Sequence, residues 1–464
     1  MAPSPTGEYH IGHIRTLLYN WVYARKNKGK FIIRIEDTDR ERYIEGATEA
    51  ILNVISEYGF DWDEGPKVGG SFEPYIQSER LEIYKKYASQ LVDKGKAYYC
   101  FCTEERLKQM REEQRENGIA STKYDRLCLK LDKSEVEANL KENKPHVIRL
   151  KVPEDENIKF SDLVFGEISV NSNDLDDQVL IKSDGFPTYH MAVVIDDHLM
   201  EITHVMRGND WIPSTPKHVI LYKAFNWKMP IFIHLPNLKE LGAAKKLSKR
   251  FGPVSAKEFL EQGYLPEALI NFLMFLGWNP GTEKEMYSLE EFIKDFSIEK
   301  IHKTDLVAFD RQKLEWMNSQ YIKKLSDEEF AERSLKFAPE GADKKILVKF
   351  APLIKSRIKT LSELEEFIGF FFEQPKVDKK MMGKNWKKHL EVASRVIEKL
   401  SAWTLEDLNN SLTKEIDKNN FKISEFFMDL RVSITGKKIT PPINDSIVLL
   451  GKKETLERLK NIIS

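Results

Sequence analysis

Residues 11–95 alternate helix and strand signals, and this constrains the fold more than any other feature of the chain. Ile14, Leu17, Leu18, Trp21 and Val22 recur at helical spacing, and Lys28-Gly29 supplies a stop. Phe31 to Ile35 reads as a short apolar strand interrupted by Arg34, running into the acidic turn Glu36-Asp37-Thr38-Asp39. Ala47, Ile51, Val54, Ile55 and Tyr58 mark a second helix closed by Gly59. Leu81, Tyr84, Ala88, Leu91 and Val92 mark a third, closed by Gly95. Such alternation predicts a parallel sheet with crossover helices. Ligands in these folds bind at the carboxyl ends of strands, and Glu36 sits at one.

The pattern changes between 97 and 184. A charged helix, Glu104 to Glu116, gives way to short strands at Val147–Leu150 and Val179–Ile181. This predicts an α+β insertion that splits the sheet. The alternation then resumes with a strand from Ile202 to Met206, a helix start at Ser214-Thr215-Pro216 and a strand from Ile231 to His234. Beyond Val254 the strands nearly vanish. Pro266 to Leu276 is helical, Ser288 to Glu291 is a capping box, and helical periodicity runs to the C-terminus. The expected class is α/β: a parallel sheet (1–96 and 185–252) divided by an α+β insertion (97–184). A connecting region (253–310) and all-helical domains (311–464) follow.

Composition excludes several classes. A net charge of −1 with 31% charged residues argues against indiscriminate nucleic-acid binding, though not against a local basic face. No apolar run spans a bilayer and no signal peptide opens the chain. Three cysteines in 464 residues make no disulfide framework, so a reducing, cytoplasmic setting is expected.

Two motifs carry chemistry. His10-Ile11-Gly12-His13 lies at a helix start, and Lys246-Leu247-Ser248-Lys249-Arg250 lies far downstream. Alone, each is weak: the first recurs by chance, and the second reads as a solvated basic loop. Together, in this order on an α/β pattern, they describe a site that holds ATP while a carboxylate attacks its α-phosphate. Two imidazoles beside a helix N-terminus can donate to phosphate oxygens, and the helix end adds a positive field. Gly12 lets the backbone approach the nucleotide. Two lysines spaced three apart can stabilise charge that develops only in the transition state.

The motifs resemble those of a bacterial-type glutamyl-tRNA synthetase, a class I aminoacyl-tRNA synthetase. The resemblance rests on Ala2-Pro3-Ser4-Pro5-Thr6-Gly7, His10 to His13, Arg34 to Asp39, Asp61-Trp62-Asp63-Glu64-Gly65-Pro66, Gly185 to His190, Lys246 to Arg250 and Leu430 to Gly436. It covers essentially the whole chain. It implies an ATP-to-AMP ligase that activates L-glutamate with Mg-ATP and transfers it to tRNA(Glu), with tRNA(Gln) open as a second acceptor. The catalytic domain (1–96 and 185–252) would be a Rossmann-like sheet, the insertion would receive the acceptor end, 253–310 would contact the stem, and the helical domains would read the anticodon. Family members act as monomers and need tRNA bound before activation.

Roles carry over by position. The resemblance implies that Ser4 and Glu36 hold the substrate's ammonium, while Tyr189 and Arg207 surround its carboxylates. His10, Gly12, His13, Trp211, Lys246, Ser248 and Lys249 would bind ATP, and His10, His13, Lys246 and Lys249 would act in catalysis. Read alone, Tyr189 is a buried tyrosine and Arg207 a surface arginine. Arg357 matches a position associated with the third anticodon base, and Arg431, Thr440 and Pro441 lie in a segment near the anticodon. The basic clusters around Lys355-Ser356-Arg357, Lys379-Lys380, Lys387-Lys388 and Lys437-Lys438 otherwise read as solvated faces. On a chain with an adenylate signature they become a nucleic-acid face.

Three features stand apart. The family pattern begins earlier, with a strand and an arginine two positions before the residue matching Ala2. Here that position precedes Met1, so the expectation is a late start, a real variant being the alternative. Some relatives carry asparagine at the position of Val193, which removes one polar contact. Cys100, Cys102, Tyr124 and Cys128 resemble a structural zinc site of some members; the alternative is three idle buried thiols. Rival functions fare worse. Nucleotidyltransferases are shorter, truncated relatives lack anticodon domains, and glutaminyl enzymes use β-barrels there. A binding paralogue without activity conflicts with two intact motifs.

Overall fold

The structure is a computed structural model that describes residues 1–243, 247 and 252–464. It divides into two compact units, Met1–Glu258 with Ile270–Asp310, and Phe259–Leu269 with Arg311–Ser464. The first unit holds nine strands among its described residues: β1 (Ala97–Cys100), β2 (Val147–Leu150), β3 (Asn157–Asp162), β4 (Gly166–Asn171), β5 (Val179–Ile181), β6 (His204–Gly208), β7 (Ile231–Leu235), β8 (Asn237–Glu240) and β9 (Leu306–Phe309).

The sheet that bears the site is mixed. Its order is β4-β3-β7-β6, with β3, β7 and β6 parallel and β4 returning antiparallel on β3. Thus β3 and β4 pair with the catalytic strands although they lie within the segment expected to be an insertion. The reason is local: along β3 the side chains alternate, so Ile158, Phe160 and Asp162 turn inward and join a core with Val219, Leu221 and Phe232. Within that segment, β1, β2 and β5 form a separate antiparallel sheet.

Phe31 to Ile35 is extended but joins no continuous ladder. Its amides point alternately to either side: Ile33 and Ile35 donate to the Glu64 and Tyr75 carbonyls at 3.0 and 2.8 Å. Arg34 and Glu36 donate to the carbonyls of Met1 and Pro3 at 3.0 and 2.9 Å. Each neighbouring segment supplies only isolated bonds, so regular strand pairing never builds up.

The expected helices form at Ile11–Lys26, Ala47–Glu57, Leu81–Asp93, Glu104–Glu116 and Thr215–Phe225. The first buries Ile14, Leu17, Leu18, Trp21 and Val22. The strand expected at Ile202 runs later, His204–Gly208, which carries Arg207 into the sheet. Ser288 caps Leu289–Asp295 through the full capping box.

The second unit contains no strand among its described residues. One core gathers Phe330, Leu347, Ile354 and Leu364, and another gathers Leu390, Leu412, Phe426 and Leu459. Gly436 closes helix Ile423–Thr435 with φ 70°, and a Cβ there would lie 2.9 Å from the Lys376 carbonyl oxygen. Among the described residues no helix is long and apolar enough to cross a membrane.

Candidate active site

The N-terminus of helix Ile11–Lys26 forms one wall of an open cleft of about 930 Å³. His10 is its N-cap, and its Nδ1 accepts the Gly12 amide at 2.9 Å. The ring hydrogen therefore sits on Nε2. Burial, with a smaller push from His13, lowers the His10 pKa to about 4, so the ring is neutral near pH 7. His13 follows on the same turn, the two rings 6.1 Å apart. It is accessible within the cleft, but the protein around it also lowers its pKa. Two neutral N–H donors beside a helix start with no acidic residue in its first turn suit phosphate oxygens.

The helix start is anchored from downstream. The Ile11 amide donates to the Val254 carbonyl at 2.8 Å, and His10 forms an antiparallel bridge with Ser255. Leu247 is buried, its amide on the Leu238 carbonyl at 2.9 Å, and it lines the cleft. Lys246, Ser248 and Lys249, the other residues expected to contact ATP from this motif, lie outside the described residues.

Glu36 lines the same cleft. Its Oε1 accepts Arg34 Nη2 at 3.1 Å, while Arg34 Nη1 donates to Asp197 at 2.9 Å. Asp196 behind them accepts Arg80, Gln77 and Tyr84 at 2.8–2.9 Å. Burial raises the Glu36 pKa to about 7 against the opposing pull of Arg34. Ser4 is exposed on the cleft wall, and its carbonyl accepts the Thr6 amide. Val193 is buried and also lines the cleft.

Arg207 lines the same cleft, as do Arg15, Arg34, Arg42 and Lys182. Arg207 Nη1 donates to the Tyr189 hydroxyl at 3.0 Å, Nη2 to Thr215 Oγ1 at 2.8 Å, and Nε to His234 Nε2 at 3.2 Å. Tyr189 packs on Trp211 with ring centroids 4.4 Å apart. Ser4, His10, Gly12, His13, Glu36, Tyr189, Arg207 and Trp211 thus meet in one cavity. Sequence reasoning assigned no role to Arg34, Asp162, Asp197, Thr215 or His234. Arg34 stood inside a quoted motif; for the rest no local pattern exists.

Comparison with known proteins decides the family. The description "tRNA synthetases class I (E and Q), catalytic domain" matches residues 1–316, and "Anticodon binding domain" matches residues 329–463. The glutamate–tRNA ligase of Clostridium kluyveri is 43% identical over 469 residues, spanning 99% of this chain and 96% of that protein. That of Clostridium tetani is 45% identical over the same shares. A crystal structure of a glutamate tRNA ligase from Elizabethkingia meningosepticum in complex with its amino acid matches with a TM-score of 0.88. It is 38% identical and covers 100% of this chain and 98% of its own.

The chain belongs to the class I tRNA synthetases (E and Q).

In this synthetase the three cysteines converge. The sulfurs of Cys100, Cys102 and Cys128 all lie within 4.8 Å of one another, with none in a disulfide. The Tyr124 hydroxyl is 3.3 Å from Cys102 Sγ and accepts the Cys128 amide at 2.9 Å. Arg149 lies over the Tyr124 ring at 4.3 Å.

In the synthetase's helical unit, Arg357 is exposed and Arg431 half-buried. Burial, then the charge of Arg357, lowers the Arg431 pKa. Arg431 Nε is buried with no hydrogen-bond partner among the described residues. Thr440 and Pro441 are buried, and the Thr440 hydroxyl donates to the Pro441 carbonyl at 2.9 Å.

Proposed function

We propose that this chain activates L-glutamate with ATP and attaches it to the 3′ end of tRNA(Glu). The observation that carries this reading is a cleft lined by both charges: Arg207 held by Tyr189, Glu36 paired with Arg34, and the His10–His13 helix end all border it. An amino acid with a second carboxylate matches that layout. Glu36 would take its ammonium, with Ser4 beside it, and Arg207 with Tyr189 a carboxylate.

Activation joins the α-carboxylate oxygen to the α-phosphorus of ATP and breaks the bond to pyrophosphate. His10 and His13 would donate neutral N–H groups to phosphate oxygens, and Trp211 would flank the nucleotide. Lys246, Ser248 and Lys249 would approach the departing pyrophosphate. Magnesium bound with ATP spreads the phosphate charge. A ribose hydroxyl of the tRNA end then attacks the glutamyl carbonyl, and AMP leaves.

The sulfur cluster suits zinc. Tetrahedral zinc with bonds near 2.3 Å separates its thiolates by roughly 3.8 Å, and Cys102 and Cys128 are 3.5 Å apart. Cys100, Cys102, Cys128 and Tyr124 would hold it. The ion would supply a crosslink between β1 and the 124–128 segment, with no part in the reaction.

By this reading residues 1–96 and 185–252 are catalytic, 97–184 receive the acceptor end and 253–310 contact the stem. Residues 311–464 read the anticodon through Arg357 and Arg431; the Arg357 charge acting on Arg431 and the buried Arg431 Nε without a partner among the described residues support an anionic, base-bearing partner. Thr440 and Pro441 would shape the backbone there. The enzyme is read as a cytoplasmic monomer. The test is ATP-dependent attachment of labelled glutamate and of labelled glutamine to separately purified tRNA(Glu) and tRNA(Gln). Glutamate on tRNA(Glu) is expected; attachment to tRNA(Gln) as well would add a second acceptor. No charging of any tRNA would overturn the assignment.

A further inference from the structure

We infer that Asp162 and His234 form a positioning relay that holds Arg207 in the orientation needed to select a carboxylate side chain. This rests on the reading of Arg207 as a glutamate-binding residue. The three residues lie on adjacent strands in the order β3-β7-β6, and Arg207 and His234 are register partners. Asp162 and His234 are both buried.

The hydrogen bonds run in one direction only. Asp162 Oδ1 accepts the amides of Val164 and Phe165 at 2.9 and 2.8 Å. Oδ2 accepts the His234 amide at 2.9 Å and lies 2.7 Å from His234 Nδ1. With three backbone donors on it this carboxylate serves as an acceptor, so Nδ1 carries the hydrogen. In a neutral imidazole Nε2 then presents a lone pair, and Arg207 Nε–H points at it. The Thr215 hydroxyl donates to the Trp211 carbonyl at 3.0 Å, which leaves its oxygen to accept Nη2. With Tyr189 and His218 beside Nη1, the guanidinium keeps one N–H on Nη2 for a ligand.

The charged groups around His234 agree with a neutral ring. Burial is the largest influence and lowers its pKa, as does the charge of Arg207; Asp162 and Asp210 oppose this. His218 lies on the other side of Arg207, with Nδ1 3.5 Å from Nη1, and is itself held neutral by burial.

Asp162→Asn tests the relay. An amide whose oxygen stays on the Val164 and Phe165 amides turns its NH2 toward Nδ1 and loses the bond from the His234 amide. The ring must then move its hydrogen to Nε2, donor against donor at Arg207. A tautomer error of this kind in an Asp–His pair is costly even when geometry survives. The KM for glutamate should rise roughly ten- to a hundredfold, with the KM for ATP within about twofold. His234→Gln places an amide oxygen where Nε2 lay and should stay within about threefold of the parent, whereas His234→Leu should match Asp162→Asn.

Equal losses in His234→Gln and His234→Leu, or parallel rises in the glutamate and ATP KM, would overturn the relay. A parent enzyme that charges no tRNA with glutamate sinks the functional reading instead. Imidazole 15N shifts then still decide the relay: the resonance lost in His234→Gln must report an Nδ1–H ring at neutral pH, and an Nε2–H ring in Asp162→Asn. An Nε2–H or protonated ring in the parent refutes it.

Discussion

Arg34 Nη2 donates to Glu36 Oε1 at 3.1 Å, and both side chains are almost wholly buried. Residues two apart on an extended stretch share a face, so one segment supplies both the carboxylate proposed to take the substrate ammonium and the cation paired with it. Burial still wins, since the Glu36 pKa rises to about 7.

A pH dependence follows from that raised value. Only the carboxylate attracts an ammonium. In the free enzyme, kcat/KM for glutamate should fall about tenfold per pH unit below the Glu36 pKa and level off above it. Glu36→Gln should flatten this limb and lower kcat/KM by about a hundredfold. Initial charging rates across pH at limiting glutamate check both.

Arg34→Met should strip the cation that is bonded to both Glu36 and Asp197. Leaving these buried carboxylates unpaired costs about 3–5 kcal/mol. Denaturant unfolding should show this loss, smaller at acidic pH, where Glu36 and Asp197, both raised by burial, are protonated.

Gly12→Ala introduces a methyl 3.1 Å from His10 Nδ1, inside the hydrogen bond that caps the helix. The His10 ring must turn away. We expect a loss of about 1 kcal/mol in stability and about tenfold in ATP kcat/KM, the glutamate KM changing less. Pyrophosphate exchange with tRNA present measures it.

Zinc content should approach one ion per chain and fall to background in Cys128→Ser. The sulfur cluster ties β1 to the 124–128 segment, so proteolysis after chelation should cut first within 97–184. A parent purified without zinc that keeps full protease resistance would refute the crosslink.

Arg357→Ala should weaken aminoacylation of tRNA(Glu) roughly ten- to a hundredfold through KM. It should also narrow the gap between tRNAs that differ at the third anticodon base. Arg431→Ala should do the same with a smaller change in base preference. Glutamate and ATP KM should not move.

Much of the fold was legible because helices announce themselves locally. The stripe at Ile14, Leu17, Leu18, Trp21 and Val22 faces the core as its spacing required, and Ser288 forms the capping box its motif implied. Short strands were harder. Val147–Leu150 appeared where expected, but β3 joined the catalytic sheet from inside the presumed insertion. Strand partnership is decided by distant residues, and nothing in 157–162 encodes β7.

The sequence by itself determined the chemistry of the site: two histidines around Gly12, a carboxylate after an apolar strand, and the family to which these motifs belong. These are short-range signals, carried by residue type and spacing. Only the tertiary structure decided how Arg207 is held, because Tyr189, Thr215, His234 and Asp162 come from separate elements. Only it showed that His10 is neutral and Glu36 poised near neutrality, because the burial that shifts them arises when the whole unit packs.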